Sequence, residues 1–384
     1  MILLLISINH KKTMKNLKLK HKNIISPEIL KSQLPKQGGM GFLFHPTDWQ
    51  TLSFIYENVE EKSPEFEEQL WQMPPFVASE MYYNNQVIGA NIIMPIPIEM
   101  WIGSPTRLKK FRQNYFFPTL KLINDCNIKI IGMGASTPYL CNYGLIERPI
   151  ETPYLTTGHG ATSATLLKLT HLACKKTNCN YKNIKLAIFG ASGRLGKAVS
   201  NYIAKYDPPQ ELVLIDLEDK ISLLKNHAED LLQNSNRKDL KLSIHGFTSN
   251  KPLPKFDGAI IVSNNSAPFL TTEDLRKSKF WIDDSHPRGA NIEAEIASRN
   301  DTLYIECYVR GPEKFDTNFP FRLPSNRDCY TCCAEGFIAW QEGIASDFVV
   351  GIPDPDKIKL IDKLLNKHDF NLGPLSGKNG DLID

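Results

Sequence analysis

The 384-residue chain has no apolar run of the roughly 18 residues that a membrane-spanning helix needs. Even Ile88–Met100 is broken by Pro95 and Pro97, so no integral membrane segment is expected. It also lacks an excess of one charge. Its 45 lysines and arginines against 42 aspartates and glutamates leave a net +3, too little for the field of a dedicated nucleic-acid binder, and no nucleic-acid partner is expected. The opening Met1–Ile8 is apolar but has no preceding basic region and no small-residue cleavage site, which argues against a secretory leader. Eight cysteines scattered through such a chain fit free thiols in a reducing compartment, and the expected location is cytoplasmic.

What is present divides the chain. The length suggests two domains at roughly 100–200 residues each. Residues 1–39 are lysine-rich from Lys11 to Lys36 without an apolar period and read as a solvated basic extension. Met40 is an alternative start of the folded part, and contact of the leader with anionic lipid stays open as a peripheral membrane association. Residues 40–155 read as a mixed α/β substrate domain. Within it a hairpin of Phe76–Tyr83 and Gln86–Ile93 turns at Asn84-Asn85, a helix runs over Arg107–Asp125 with a bend at Pro118, and a strand covers Ile128–Met133. Residues 156–345 alternate short apolar strands (Ile184–Gly190, Glu211–Asp216, Leu240–Gly246, Gly258–Ser263, Trp281–Asp284, Leu303–Tyr308) with helices. That pattern is the signature of a doubly wound parallel sheet, so the fold class is α/β with a Rossmann-type domain. Residues 346–384 are expected to add a helix near Lys357–Lys367 and a frayed tail.

Gly190-Ala191-Ser192-Gly193-Arg194-Leu195-Gly196 follows a strand and opens a helix. Glycines there let the backbone turn tightly and approach a pyrophosphate, whose charge the helix start offsets. Asp216, twenty residues beyond Gly196, ends the next strand and can accept both ribose hydroxyls, which favours NADH. The alternative is a cap for the following helix. Ser263, at the end of a later strand, is a further cofactor contact.

Asp328-Cys329-Tyr330-Thr331-Cys332-Cys333 leads into a helix running to about Ala345. A thiol in the first turn is expected to have its pKa drawn down by the helix dipole. Such a thiolate could attack a thioester and hold the acyl group. Adjacent helical residues point about 100° apart, so Cys332 is the chosen nucleophile, with Cys333 packed inward. Two alternatives remain open: buried cysteines as small hydrophobes, and a zinc half-site of Cys329-x-x-Cys332 completed by Cys307 or His286. No metal is the preferred expectation.

Over about residues 41–345 these features resemble the cyanobacterial long-chain acyl-(acyl-carrier-protein) reductases. The likeness rests on Gly41-Phe42-Leu43-Phe44-His45, Pro74-Pro75-Phe76, Ile131-Gly132-Met133-Gly134, Thr156-Thr157-Gly158, the glycine fingerprint, Ile282-Asp283-Asp284-Ser285-His286-Pro287-Arg288 and Cys332–Glu335. The resemblance implies NADPH-dependent reduction of a fatty acyl thioester to an aldehyde. It also implies an acyl carrier protein or acyl-CoA as partner and the acyl group on Cys332. It disagrees with Asp216 over NADH or NADPH. His286 is the leading proton donor because it follows a strand at the carboxyl edge of the sheet, with His159 and His171 behind it. Thr157 offers a hydroxyl to the carbonyl or the nicotinamide. Arg107, Lys109, Lys110, Arg112 and Lys121 could steer an acidic carrier, and Phe111, Tyr115, Phe116 and Phe117 line either a core or an acyl tunnel. The rival readings are another Rossmann dehydrogenase acting on a small carbonyl or hydroxy acid, and a non-catalytic dinucleotide sensor.

Overall fold

The computed structural model describes residues 24–377 except 58, 60–62, 147, 149–151, 249–250, 266 and 320, together with 382–383. Met1–Ile8 and the lysines up to Lys22 fall outside the described residues. Among those described, no helix is long and apolar enough to cross a membrane.

The amino-terminal sheet is mixed and six-stranded. Strands β1 (Gly39–Phe44), β2 (Phe76–Tyr83), β3 (Gln86–Ile93), β4 (Ile128–Met133) and β5 (Tyr154–Thr156) are joined by a late strand, Phe315–Asp316, at the β2 edge, and β1 is central between β3 and β4. The Asn84-Asn85 hairpin forms as the sequence predicts, with both residues at positive φ, the backbone that a two-residue turn between twisted strands requires. Side chains of β1 alternate in the period of two of any strand. Leu43 joins the core beneath the helices on one face, while Met40 and Phe42 face the core around the cysteine-bearing helix.

The predicted Arg107–Asp125 helix is Pro105–Phe111, a π turn at Arg112–Phe116, then Phe117–Asp125. Pro118 has no N–H to donate, and its ring needs room at the preceding turn, which the wider π turn supplies.

The second sheet is wholly parallel: β6 (Lys185–Phe189), β7 (Glu211–Leu217), β8 (Lys241–Phe247), β9 (Gly258–Ile261), β10 (Phe280–Asp283) and β11 (Leu303–Glu306). Its spatial order β11-β10-β9-β6-β7-β8 is the Rossmann order, and its switch point lies between β6 and β9. The helices used below are α1 (His159–Lys176), α2 (Arg194–Tyr206), α3 (Ile221–Asn234), α4 (Thr331–Gln341) and α5 (Pro355–Lys367). Helix α1 connects the two sheets.

Four expectations are corrected. Within the presumed extension 1–39, residues Pro27–Gln33 form a helix capped by Ser26, with Leu30 and Leu34 buried in the amino-terminal core, so Met40 does not begin the fold. One apolar pair four residues apart is too short a signal to read as a period. Helix α4, placed by sequence with the Rossmann unit, packs instead on β4 and β1 of the first sheet, because Cys333, Ala334 and Phe337 meet Met40, Phe42 and Ile130 there. The strand expected over Leu303–Tyr308 stops at Glu306, and Val309–Arg310 pairs with Asp328–Cys329 and Asn371–Leu372. That last pairing, with Leu375 buried, docks part of the tail expected to be frayed.

If residues 27–34 belong to the fold, Leu30→Ala costs about 2–5 kcal/mol. The urea midpoint then falls with little change in slope, whereas an unchanged midpoint would return this segment to the extension.

Candidate active site

Helix α4 starts where three glycines allow it to approach other backbone. A Cβ on Gly132 of β4 would stand 2.5 Å from the Cys332 carbonyl oxygen. Gly158, at φ +81°, lies so near that a Cβ there would be 2.3 Å from Cys332 Cβ. No other residue satisfies both that left-handed backbone and that contact. Gly336 sits against Gly132 one turn further along the helix.

Glu335 locks this arrangement. It is wholly buried, and its carboxylate accepts the N–H of Gly158 at 2.8 Å, the N–H of Ala161 at 2.7 Å and the Thr156 hydroxyl. Helix α1 has Gly158 at its N-cap, without a side-chain cap of its own, so a carboxylate from another helix satisfies its orphan donors. Burial pushes the Glu335 carboxyl up, and these donors pull against that shift. The Thr162 and Thr331 hydroxyls add a 2.5 Å hydrogen bond between the starts of α1 and α4.

Two cavities meet at Cys332. The larger, about 270 Å³, runs along the carboxyl edge of the parallel sheet from Asp216 and Gly190 past Ser263 to Thr157, His286 and Cys332. The smaller, about 150 Å³, has aromatic walls from Phe42, Phe44, Phe319 and Phe321, and it also reaches His286 and Cys332. The cysteine sulfur is therefore not sealed among aliphatic neighbours, while Cys333 beside it is fully buried. The expected lowering of the Cys332 pKa does not occur. Burial first and the Asp284 charge second push its thiol well above the ordinary value, because desolvation of a thiolate outweighs the dipole of one helix end.

The fingerprint residues divide by position. Gly190, Gly193, Arg194 and Leu195 line the crevice. Ala191 is buried in the core, and Gly196 packs against the Gly190 carbonyl. Helix α2 has Gly193 at its N-cap and no side-chain cap, which leaves its first N–H groups for an anion. Arg194 donates to Asn142 Oδ1 at 3.1 Å and lies 4.6 Å from the centre of the Tyr143 ring, tying the glycine loop to the first domain across the crevice.

Asp216 does more than the ribose reading supposes. Its Oδ2 accepts the Ser192 N–H at 2.9 Å and the Ser192 hydroxyl at 2.7 Å. Its Oδ1 accepts the Leu217 N–H at 2.9 Å, with Lys220 Nζ at 3.4 Å. The carboxylate is thus a brace for the glycine loop as well as part of the crevice wall.

Thr157 lines the crevice, and its hydroxyl is buried without a hydrogen-bond partner among the described residues. A buried orphan of this kind marks a place where a ligand can supply the missing bond. His286 is half-buried with its ring edge-on to Tyr330 at 5.1 Å. Its loop is shaped by Asp283, which accepts the N–H groups of Ser285 at 2.7 Å and Gly289 at 3.0 Å and the Tyr304 hydroxyl at 2.5 Å. His159 also borders the crevice but is buried, and its pKa falls to about 4 through desolvation. His171 pairs with Asp207 at 2.7 Å, away from both cavities. Phe111, Tyr115 and Phe116 are core, with Phe111 stacked between Trp101 and Tyr115, and all three lie outside both cavities, which removes the tunnel reading for them. Arg112 is occupied by the Leu140 and Tyr139 carbonyls, while Arg107, Lys109, Lys110 and Lys121 are exposed.

Sequence reading passed over His45 as a site residue. It borders the aromatic cavity, and burial lowers its pKa to about 4. Its Nδ1 bonds the Pro46 carbonyl at 2.7 Å and its Nε2 accepts the Ser136 N–H at 3.2 Å, so it serves as a neutral wall. Nothing in the local sequence marks it apart from its place after an apolar strand. Among the described residues, no group of three His, Cys, Asp or Glu converges as a metal site.

No family model and no curated protein matches the chain. Solved structures to which it is similar include shikimate 5-dehydrogenase from Listeria monocytogenes, solved with shikimate and NAD (10% identity, 86% of this chain and 98% of that one, TM-score 0.39). L-tryptophan dehydrogenase from Nostoc punctiforme (10%, 94% and 91%, 0.36) and malic enzyme from Entamoeba histolytica (11%, 97% and 83%, 0.39) are others.

Two outcomes follow from this geometry. Alkylation of Cys332 by iodoacetamide, read by intact mass, should rise about tenfold per pH unit from pH 7 to 9 without levelling, since thiolate forms only near the raised pKa. A plateau near pH 7 would mean an activated thiolate. Asp216→Ala should weaken NADH and NADPH alike, by about tenfold in titrations of coenzyme fluorescence, because it frees the Ser192 loop. Selective loss of NADH would instead mark Asp216 as the ribose reader.

Proposed function

We propose that the protein is an NAD(P)H-dependent oxidoreductase that reduces an acyl thioester to an aldehyde through an acyl-cysteine at Cys332. The observation that carries this reading is the shared position of Cys332, on the wall of both the Rossmann crevice and the aromatic cavity. A dinucleotide fits the crevice: the uncapped start of α2 suits its pyrophosphate, and the unpartnered Thr157 hydroxyl suits an amide or carbonyl further along. Bound there, it supplies a hydride.

The chain's own residues do the rest. Cys332 Sγ forms a bond to the acyl carbon as the carrier's C–S bond breaks, and the carrier leaves as a thiol with the proton that Cys332 gives up. Because burial holds that proton on the sulfur, attack requires a base, and His286, which lines both cavities with Cys332, is the residue assigned here to take it and pass it to the leaving thiol. After the acyl carbon has gained two electrons and a hydrogen, one further proton is needed. The C–S bond to Cys332 then breaks, the aldehyde leaves, and the thiol is restored. The aromatic walls hold the acyl group and exclude water that would hydrolyse the acyl-enzyme. The resemblance to long-chain acyl-carrier reductases makes carrier-borne and CoA-borne fatty acyl thioesters the first substrates to try, with NADPH and NADH in parallel.

Rapid-quench mass spectrometry should find an acyl adduct on Cys332 with a thioester alone. Cys332→Ala should lower thioester-dependent coenzyme oxidation on the order of 10³-fold or more while coenzyme still binds. Oxidation retained in that variant would favour the second reading, a dehydrogenase of a small carbonyl or hydroxy acid with an inert cysteine.

A further inference from the structure

The aromatic cavity holds a charge that the thioester chemistry does not use. Arg288 lies on the loop after β10 and lines the same cavity as Cys332. Its Nη1 is buried and without a hydrogen-bond partner among the described residues. A guanidinium nitrogen removed from water and left unpaired is costly, and such a nitrogen calls for an acceptor, an anion being the one that also offsets its charge. A second guanidinium, Arg322, stands at the more exposed part of the same cavity. Burial first and the like charge of Arg288 second hold Arg322 below the ordinary arginine range, with Asp48 opposing. Two acids share the cavity wall: Asp48, whose Oδ1 accepts the Thr51 N–H at 2.7 Å, and Glu306, whose Oε1 accepts from the Tyr330 hydroxyl at 3.4 Å.

We propose that this cavity recognises an acyl group that itself carries a carboxylate, with Arg288 as the direct partner and Arg322 as the second cation at the mouth. The inference rests on the thioester reading and names its substrate class. The volume, about 150 Å³, is that of a cavity that takes one benzene-sized group. It suits a short dicarboxylic half-thioester, whose methylenes lie against Phe42, Phe44, Phe319 and Phe321 and whose far carboxylate reaches the guanidinium. The phosphate of a pantetheine-type arm is the other anion a thioester brings, but it lies at the far end of a long chain from the sulfur, whereas Arg288 and Cys332 share one small cavity. A planar guanidinium fork matches a carboxylate with two parallel hydrogen bonds.

The test has two independent arms on the full chain. In the first, calorimetry measures glutarate and, as the neutral control, glutaramide binding to wild type, Arg288→Gln and Arg288→Lys, with melting curves to verify folding. Glutarate should bind and glutaramide should not. Affinity should fall about tenfold to a hundredfold in Arg288→Gln and less in Arg288→Lys. In the second, mass spectrometry follows Cys332 acylation by glutaryl-CoA and pentanoyl-CoA, whose shared CoA cancels every carrier phosphate. Glutaryl-CoA should acylate at least about tenfold faster, and Arg288→Gln should erase the difference. Equal acylation by the two thioesters, or glutarate binding indifferent to Arg288, overturns the inference and leaves the thioester reading standing. Arg288-dependent glutarate binding with no adduct from either thioester overturns the thioester reading and keeps the anion site.

Discussion

One buried carboxylate holds the two halves of the molecule in register. Glu335 projects from the cysteine-bearing helix and closes the start of the connecting helix α1, so the first turn of each is positioned by the other. Three donors converge on it from a loop and a helix start that lack a cap of their own. Removal of Glu335 would leave all three donors unsatisfied in a dry interior, which ties the seam to this one carboxylate. The glycines at 132 and 158 make the seam thin enough for Cys332 to stand at it, with the sheet edge on one side and aromatic rings on the other.

The same closeness sets the electrostatics. A thiol at a helix start is ordinarily a candidate for easy ionisation. Here the apolar rings, the buried seam and the Asp284 charge act together against the thiolate. A thiol held protonated in this way resists oxidation and stray alkylation. The Asp283-braced loop brings the imidazole of His286, which can accept a proton, and the guanidinium of Arg288, which can only donate, to the wall of the cavity that Cys332 lines.

Much of this was legible beforehand wherever the signal is local. The parallel sheet shows in short apolar strands between helices, and the Asn84-Asn85 turn shows in two residues that tolerate positive φ. The glycine loop shows in its spacing after a strand. Asp216 was visible as a residue but not in its task, since nothing local reveals that its oxygens brace Ser192. The helix at Pro27–Gln33 was hidden because it buries only Leu30 and Leu34, too few positions to stand out among lysines. His45 and Arg288 stand in recognised segments, but nothing local gives them a task, since both line a cavity whose walls span residues 42 to 332.

The sequence by itself determined the fold class and the place of the glycine loop between a strand and a helix, because each depends on periodicity or spacing within a few consecutive residues. Only the tertiary structure decided which sheet carries the cysteine helix, the direction of the thiol's pKa and the burial of an Arg288 Nη1 without a partner among the described residues, on a residue lining the same cavity. Those properties depend on burial and on contacts between segments more than a hundred residues apart, and free energy of that kind is not written in any single stretch of chain.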